Sequence, residues 1–509
     1  MTAEPANLYA TFVARCANPD KIFIETQDGR RIRYRDAFDL AGRIANVLKT
    51  KGVNPLDRVA VQVEKSAEAL ILYLACLRIG AIYLPLNTAY TLNELEYFIG
   101  DAEPRVVVCA PAAHDAIQSL MTRLPGSSVV TLGTKSDGSL MQLSQAASAH
   151  IENVPSSPDD VAAILYTSGT TGRSKGAMLT HHNLRSNAVT LAEAWRFTEG
   201  DVLLHALPLF HTHGLFVATN VVLMSGARMI LMPKFDPAVI REKLPGATVM
   251  MGVPTFYTRL LQEDWLDAAA VSHMRLFVSG SAPLLAETHR EWSKRTDHAI
   301  LERYGMTETN MITSNPYSGT RIPGTVGTPL PGIDVVITDP QTGALLAPGE
   351  VGMIEVRGPN VFQGYWRMPE KTKAELRSNG FFITGDLGKL AGDGVLSIVG
   401  RGKDLVITGG YNVYPKEVET QIDEIEGVVE SAVIGVPHPD FGEGVTAIIV
   451  KDVAHDLDEQ AIVKALDGRL AKFKLPKRVI FVEDLPRNTM GKVLKEVLRR
   501  QYGSIYTHG

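Results

Sequence analysis

The stretch Tyr166–His181, YTSGTTGRSKGAMLTH, decides how the rest of the chain is read. Its three glycines, four threonines, two serines, Arg173 and Lys175 lie between apolar flanks. Glycine lets a backbone approach a ligand with no Cβ in the way. Successive N–H groups can then point at phosphate oxygens. The hydroxyls of Thr167, Ser168, Thr170 and Thr171 add donors, and Lys175 adds a mobile cation. Upstream, VAAILY (Val161–Tyr166) reads as a strand. Downstream, Leu184, Ala188, Leu191 and Trp195 recur at helical spacing. The pattern predicts strand, loop, helix, a setting in which a loop can cradle phosphate. The loop is not G-x-x-x-x-G-K-[ST]: counted from Gly169, the second glycine falls on Ser174, and Lys175 is followed by Gly176.

Outward from this loop, 509 residues are too many for one core and predict about three to four domains or subdomains. Hydrophobic residues make up 45% and charged residues 21%, a globular balance, and the net charge of −5 argues against a nucleic-acid surface. Cys16, Cys76 and Cys109 are widely spaced and form no CxxC or CxxH pair, so neither a zinc site nor a disulfide framework is signalled. Cys76 and Cys109 sit in apolar runs and are expected to be buried thiols in a reducing compartment. The N-terminus lacks a basic region followed by an apolar one. The apolar run Gly214–Met224 is shorter than the ~20 residues of a membrane span. A cytoplasmic protein with no membrane span is expected.

The first part of the chain alternates strand and helix patterns. Leu40, Ile44, Val47 and Leu48 share a helical face that ends at Gly52. RVAVQV (Arg58–Val63) reads as a buried strand, and a helix follows with Ser66 as its N-cap and Gly80 as its stop. PRVVVCA adds a strand. The segment from Lys135 to Asp160 reads as surface loops. The alternation predicts a parallel sheet covered by helices. Past GRGKDLVITGG the character changes to about 100 residues with strands ESAVIGV and VTAIIV and a helix carrying Ile462, Leu466 and Leu470, a separate α+β domain.

YTSGTTGRSKG resembles the phosphate loop of the adenylate-forming superfamily, which includes acyl-CoA synthetases, luciferases and peptide-synthetase adenylation domains. ERYGMTET (Glu302–Thr309), FFITGDLG (Phe381–Gly388), GRGKDLVITGGYNVYPKEVE (Gly400–Glu419) and LPRNTMGKV (Leu485–Val493) follow in the superfamily's order. The resemblance covers nearly the whole chain. It implies an α/β fold: a large N-terminal domain of stacked α/β subdomains, residues 1–402, and a small mobile α+β C-terminal domain, residues 403–509. It implies an acid–thiol ligase using ATP, Mg²⁺ and coenzyme A through an acyl-adenylate. Thr167, Ser168, Gly169, Thr170, Thr171, Gly172, Arg173, Ser174 and Lys175 would hold the β- and γ-phosphates. Glu308 and the Thr167 hydroxyl would hold Mg²⁺. Asp386 and Arg401 would meet the ribose or phosphate. Ser281, Ala282, Pro283 and Glu302, Arg303, Tyr304, Gly305, Met306 and Thr307 would line the adenine and the acyl-adenylate. Lys492 matches the catalytic lysine, Lys403 the hinge, and Gly409, Gly410 and Tyr411 the pantetheine channel. Lysine acetylation of Lys492, as in related synthetases, would abolish its charge.

The acid is read from the arginines. Arg259 lies in GVPTFYTRL, a segment that borders the acyl pocket in relatives, and Arg303 lies in ERYGMTE, where many relatives that activate apolar acids carry a small or neutral residue. A buried guanidinium is costly without a partner, and the second carboxylate of a diacid would supply one in fork geometry. Malonate is the smallest stable choice, with methylmalonate beside it. Ser279 and Ser281 could add hydrogen bonds, and His213 would wall the carboxylate, with His211 structural. The competing readings are a ligase for another short or aromatic acid, with both arginines paired to protein carboxylates such as Glu302 or Glu308, an adenylate-binding protein that no longer catalyses, and a loader of a carrier protein.

Overall fold

The computed structural model describes residues 5–167, 174–408 and 411–506. Among them four sheets form. A seven-stranded sheet runs in the order Gly364–Tyr365, Lys175–Thr180, Val161–Thr167, Ile82–Pro85, Arg58–Gln62, Val106–Cys109, Ser128–Thr131, with its last five strands parallel. A nine-stranded sheet is parallel from Ile22–Thr26 through Arg228–Leu231, Val202–His205, Val249–Gly252 and Leu276–Ser279 to Leu301–Met306. The two sheets share one core. Val59 and Val61 of the first and Leu203 and Val249 of the second belong to it, with Ile44 and Leu72 from the helices Tyr34–Thr50 and Ala67–Arg78.

Local chemistry explains these elements. The Ser66 hydroxyl accepts the Ala69 N–H at 3.1 Å and starts the helix Ala67–Arg78, which buries every residue from Ala67 to Leu77 and is apolar all round apart from Glu68, paired with Arg30. Gly80, at φ +68°, takes the left-handed turn that ends it. Cys76 and Cys109 are buried and Cys16 is partly exposed, all three as free thiols. No helix among the described residues is long and apolar enough to cross a membrane.

A third, antiparallel sheet joins Asp334–Thr338, Gly352–Arg357, Phe382–Leu390 and Leu396–Arg401. The small C-terminal domain builds its own sheet from Tyr411–Val413, Val406–Thr408, Gly442–Lys451, Val428–His438 and Arg478–Val482, around a separate core that includes Val433, Ala447, Ile449 and Ile462. The fold is thus α/β with a large N-terminal and a small C-terminal domain.

Three local expectations are corrected. The glycine loop joins two antiparallel strands, Val161–Thr167 and Lys175–Thr180, and the helix His181–Ala194 begins only after the second. Gly176 allows this pairing, since a Cβ there would lie 2.9 Å from Ile164. Within the segment read as loops, Ser139–Ala146 is a helix that buries Leu140 and Met141. The helix carrying Ile462 and Leu466 stops at Leu466, leaving Leu470 beyond it, past Gly468 at φ +79°.

Candidate active site

Strand register brings the polar residues together. Asp386 and Arg401 are cross-strand partners. Arg401 Nε lies 2.9 Å from Asp386 Oδ1, and Tyr304 Oη donates to Asp386 Oδ2 at 2.6 Å. Asp386 holds the Arg401 guanidinium above its ordinary value. Tyr304 belongs to the strand Leu301–Met306, so the third sheet and the nine-stranded sheet meet at this carboxylate. Gly305 is required here, because a Cβ would sit 2.0 Å from the Asn310 carbonyl.

Glu308 is buried in the turn that follows. Burial pushes its carboxyl up, with the nearby Lys175 acting in the opposite sense. Tyr365 Oη donates to Glu308 Oε1 at 3.0 Å and lies 2.6 Å from Glu375 Oε2. Lys175 Nζ reaches Tyr365 Oη at 3.1 Å and Glu375 Oε2 at 3.3 Å. Thr167 faces Lys175 across the hairpin, the Thr167 hydroxyl 3.5 Å from the Lys175 carbonyl, so both expected loop ends are brought to one spot. Ser174 is tied through its carbonyl to Tyr97 Oη at 2.8 Å. Ser168, Gly169, Thr170, Thr171, Gly172, Arg173, Gly409 and Gly410 lie outside the described residues.

No cluster of three or more His, Cys, Asp or Glu among the described residues could hold a metal ion. One buried carboxylate and one hydroxyl nevertheless fit Mg²⁺, a hard cation that takes most of its oxygens from phosphate and water.

Arg303 is 4% exposed on the strand Leu301–Met306. Its Nε and Nη2 meet no protein acceptor. Burial pulls its guanidinium down to about 9, still a cation at neutral pH. The group occupies space that any side chain at position 280 would take: a Gly280 Cβ would lie 2.2 Å from Arg303 Cζ. Glu302 points to His289, at 3.2 Å, and Glu308 to Tyr365, so neither neutralises Arg303. Beside it, His213 is buried in a π-helical segment, with Nδ1 3.1 Å from Ser281 Oγ and Nε2 unpartnered. Burial, and next the charge of Arg303, hold His213 neutral. The Ser279 hydroxyl is buried without a partner, and Ser281 stands at φ +73°, a strained backbone for a serine. Ala282 and Pro283 follow, partly exposed and exposed. His211 packs on Phe210, and burial pulls it down to about 4.

Arg259 departs from expectation. It is exposed in the last turn of the helix Pro254–Leu260, whose buried residues are Tyr257 and Leu260. Two residues past Tyr257, it lies well round the helix from the buried face.

Lys492 comes from the C-terminal domain. Burial, and next the charge of Arg401, pull its ammonium down to about 8, while Asp386 pulls the other way. The loop is docked: Met490 is buried in the large core, and Gly491 adopts φ +73° against Thr255. Lys403 is exposed in the turn Gly402–Asp404 between the third sheet and the C-terminal sheet. Tyr411 is exposed and stacks on Phe473. Sequence reasoning missed Tyr365, Glu375 and Gly280. GYW and SGS carried no chemical signal of their own, although a glycine next to Ser279 and Ser281 hinted at close packing.

An AMP-binding enzyme model matches residues 13–366, and the model of the C-terminal domain of AMP-binding enzymes matches residues 417–492. The chain belongs to the AMP-binding enzyme family. This AMP-binding enzyme is 61% identical to MatB from Rhodopseudomonas palustris. The ATP-bound form of that protein superposes with a TM-score of 0.97, covering 99% of this chain and all (100%) of that one. Its apo form gives 0.86 at the same identity and coverage. The mitochondrial malonate–CoA ligase of Mus musculus is 34% identical over 97% of this chain and 91% of its own length. A long-chain-fatty-acid–CoA ligase of Bacillus subtilis is also 34% identical, over 94% and 91%. At that distance identity alone does not select an acid, so the pocket must.

Proposed function

We propose that this AMP-binding enzyme is an ATP-dependent malonate–CoA ligase that also accepts methylmalonate. The observation that carries the reading is Arg303, a buried cation whose donor nitrogens Nε and Nη2 have no partner, beside a neutral His213 and the serines at 279 and 281. A monocarboxylic acid with an apolar tail would leave that cation buried and unpaired. The far carboxylate of a short diacid neutralises it and accepts two parallel hydrogen bonds. The relatives that act on malonate, and the 61% identity to MatB, support the same choice.

In the reaction, an oxygen of the near carboxylate attacks the α-phosphorus of ATP, and the bond to the β-phosphate oxygen breaks, releasing pyrophosphate. Lys492, beside the Asp386–Arg401 pair, neutralises charge that develops on the α-phosphate and the attacking carboxylate. Lys175 and the hydroxyls of Thr167 and the loop serve the β- and γ-phosphates. Asp386 accepts from the ribose hydroxyls, with Tyr304 fixing its orientation. Glu308 and Thr167 would hold Mg²⁺, which when bound neutralises phosphate charge. Then the sulfur of coenzyme A attacks the acyl carbon, the bond to AMP breaks, and the thiol proton leaves to solvent. For this step the domain from 403 onward swings about Lys403, withdraws Lys492 and presents the segment from Gly409 to Tyr411. The three free cysteines fit a reducing compartment such as the cytoplasm. Acetylation of Lys492 would remove its charge and stop the first step; Lys492→Gln with full adenylation activity would argue against that switch.

Pyrophosphate release with malonate, methylmalonate, acetate, propionate and benzoate, on wild type and Arg303→Ala, tests the reading. Malonate turnover that dominates the panel and collapses in the variant is expected. Preference for a monocarboxylic acid in the wild type would overturn it.

A further inference from the structure

The strand Val202–His205 leads through a short turn into the π-helical segment His213–Thr219. π geometry is rare and concentrates at functional sites, so something must hold it here. The Gly214 carbonyl shows what does. It accepts from the Thr219 hydroxyl at 3.0 Å and pairs with His205 Nε2 at 2.9 Å. A carbonyl cannot donate, so His205 carries its proton on Nε2, and its Nδ1 presents a lone pair. That lone pair faces Lys65 Nζ at 3.1 Å. Lys65 Nζ also donates to the His205 carbonyl at 2.8 Å and the Leu207 carbonyl at 2.7 Å. Burial pulls this lysine well below its ordinary value, but three acceptors around Nζ call for three N–H donors, which only the ammonium supplies, and all three are used. None of the three partners is a carboxylate, so the lysine acts as a strut and not as half of an ion pair.

The strut spans two sheets, since Lys65 follows the strand Arg58–Gln62 of the seven-stranded sheet and His205 ends a strand of the nine-stranded one. Packing alone does not hold the turn between them: a cavity of about 70 Å³ lies against it, bounded by Lys65, Pro208, Leu209 and Phe210. The turn also closes on itself tightly, because a Gly214 Cβ would sit 2.0 Å from the Pro208 carbonyl. At the start of the π segment, His213 meets Ser281 and feels the charge of Arg303.

We propose that Lys65 and His205 are positioning residues for the acyl pocket: the lysine, through the single tautomer of His205, holds the π turn that aims His213 at Ser281 and Arg303. The inference rests on the acid-activating reading above. Neither residue contacts Asp386, Tyr304, Glu308 or Lys175, so its effect should fall on the acid and not on ATP.

The test uses the full-length enzyme, with KM for malonate and for ATP measured by pyrophosphate release and Tm by thermal shift. Lys65→Met keeps the length of the side chain and removes the donors. A malonate KM raised about tenfold is expected, the size of effect that follows from losing one net hydrogen bond to a charged group, with ATP KM unchanged and Tm lowered, because three buried acceptors lose their donor. A folded Lys65→Met with wild-type malonate KM would overturn the proposal. So would a common rise of both KM values, the mark of a merely structural role. His205→Gln places an amide N–H where Nε2 donates to Gly214, whereas His205→Leu does not. Should Lys65→Met not fold, this pair decides: a higher malonate KM in His205→Leu supports the proposal, and equal values overturn it. A wild type that rejects malonate defeats the functional reading instead, and the same KM split is then expected for the acid it does activate.

Discussion

Arg303 holds its charge where no protein anion meets it, and that makes two measurements move in opposite directions. Losing one partner of a buried charge pair costs about 2–5 kcal/mol, so Arg303→Met should lower kcat/KM for malonate by about 10²-fold or more. The free enzyme should gain Tm from the same change, because the buried cation has no compensating partner before substrate arrives. Malonate should raise the Tm of wild type and leave that of the variant where it was; a variant that loses both Tm and activity would mean that Arg303 serves the fold. Lys492 makes a pH prediction. Its ammonium, pulled down to about 8, is the form that neutralises charge, so kcat/KM for adenylation should fall as pH rises through that value. Lys492→Arg should lose rate but also lose this alkaline limb. Arg303, Lys492, Glu308 and Asp386 were legible as residue types in motifs. Arg259 was legible too, in the wrong sense: the phase of Tyr257 and Leu260 puts it off the buried face, and only attention to that phase would have said so. Lys65 and His205 were not legible, because 140 positions separate them and only the stacking of two sheets joins them.

The loop that carries Lys492 is a built element. Arg487 pairs with Val493 across it, and Arg487 Nη1 donates to the Gly491 carbonyl at 2.7 Å. The other end of the same guanidinium pairs with Glu430 on the strand Val428–His438. Asn488 Oδ1 accepts the Met490 N–H at 3.0 Å and the Lys492 N–H at 2.9 Å. The lysine is thereby presented from a rigid turn, and rigidity matters only in the step that uses it. Glu430→Gln should therefore slow adenylation about tenfold, the loss of one charge-assisted hydrogen bond, while thioester formation from supplied acyl-adenylate stays at the wild-type rate. Equal slowing of both half-reactions would reduce the pair to a fold contact. At this scale strands with apolar runs, such as Arg58–Gln62 and Val106–Cys109, were readable from composition alone. Lys175–Thr180 was not: it begins with Lys-Gly, a breaker in isolation, and pairs with Gly364–Tyr365 nearly two hundred residues away. The context of the glycine loop was consequently misread as strand to helix, although its chemistry did not depend on that.

Across the whole molecule, the small domain is docked with Lys492 inward. Met490 is buried in the core of the large domain, Gly491 abuts Thr255, and Lys416 lies close enough to Glu302 to oppose the upward push of burial on that carboxyl. The greater likeness to the ATP-bound than to the apo form of MatB agrees with this arrangement. Motif order made a large N-terminal and a small C-terminal domain readable, but a linear string says nothing about which face of the small domain meets the large one. On the proposed mechanism the docked state serves the first half-reaction, with Lys492 within electrostatic reach of Arg401 and Asp386, while Tyr411 stands exposed on the domain's own sheet. The swing proposed for the second step would require the turn Gly402–Asp404 to change conformation, and Asp404 is held meanwhile by Arg499 at 2.6 Å. Proline at 403 removes an N–H, fixes φ and biases Gly402 away from helical geometry. Lys403→Pro should accordingly make acyl-adenylate and pyrophosphate in a single burst, with thioester formation reduced by about 10²-fold, as expected when gating limits the cycle. Arg499→Met, which frees the same turn without locking it, should leave the burst intact and steady-state turnover equal to wild type or faster. If Lys403→Pro supports wild-type thioester formation, the swing does not pass through this turn, and the domain would have to move elsewhere or not at all.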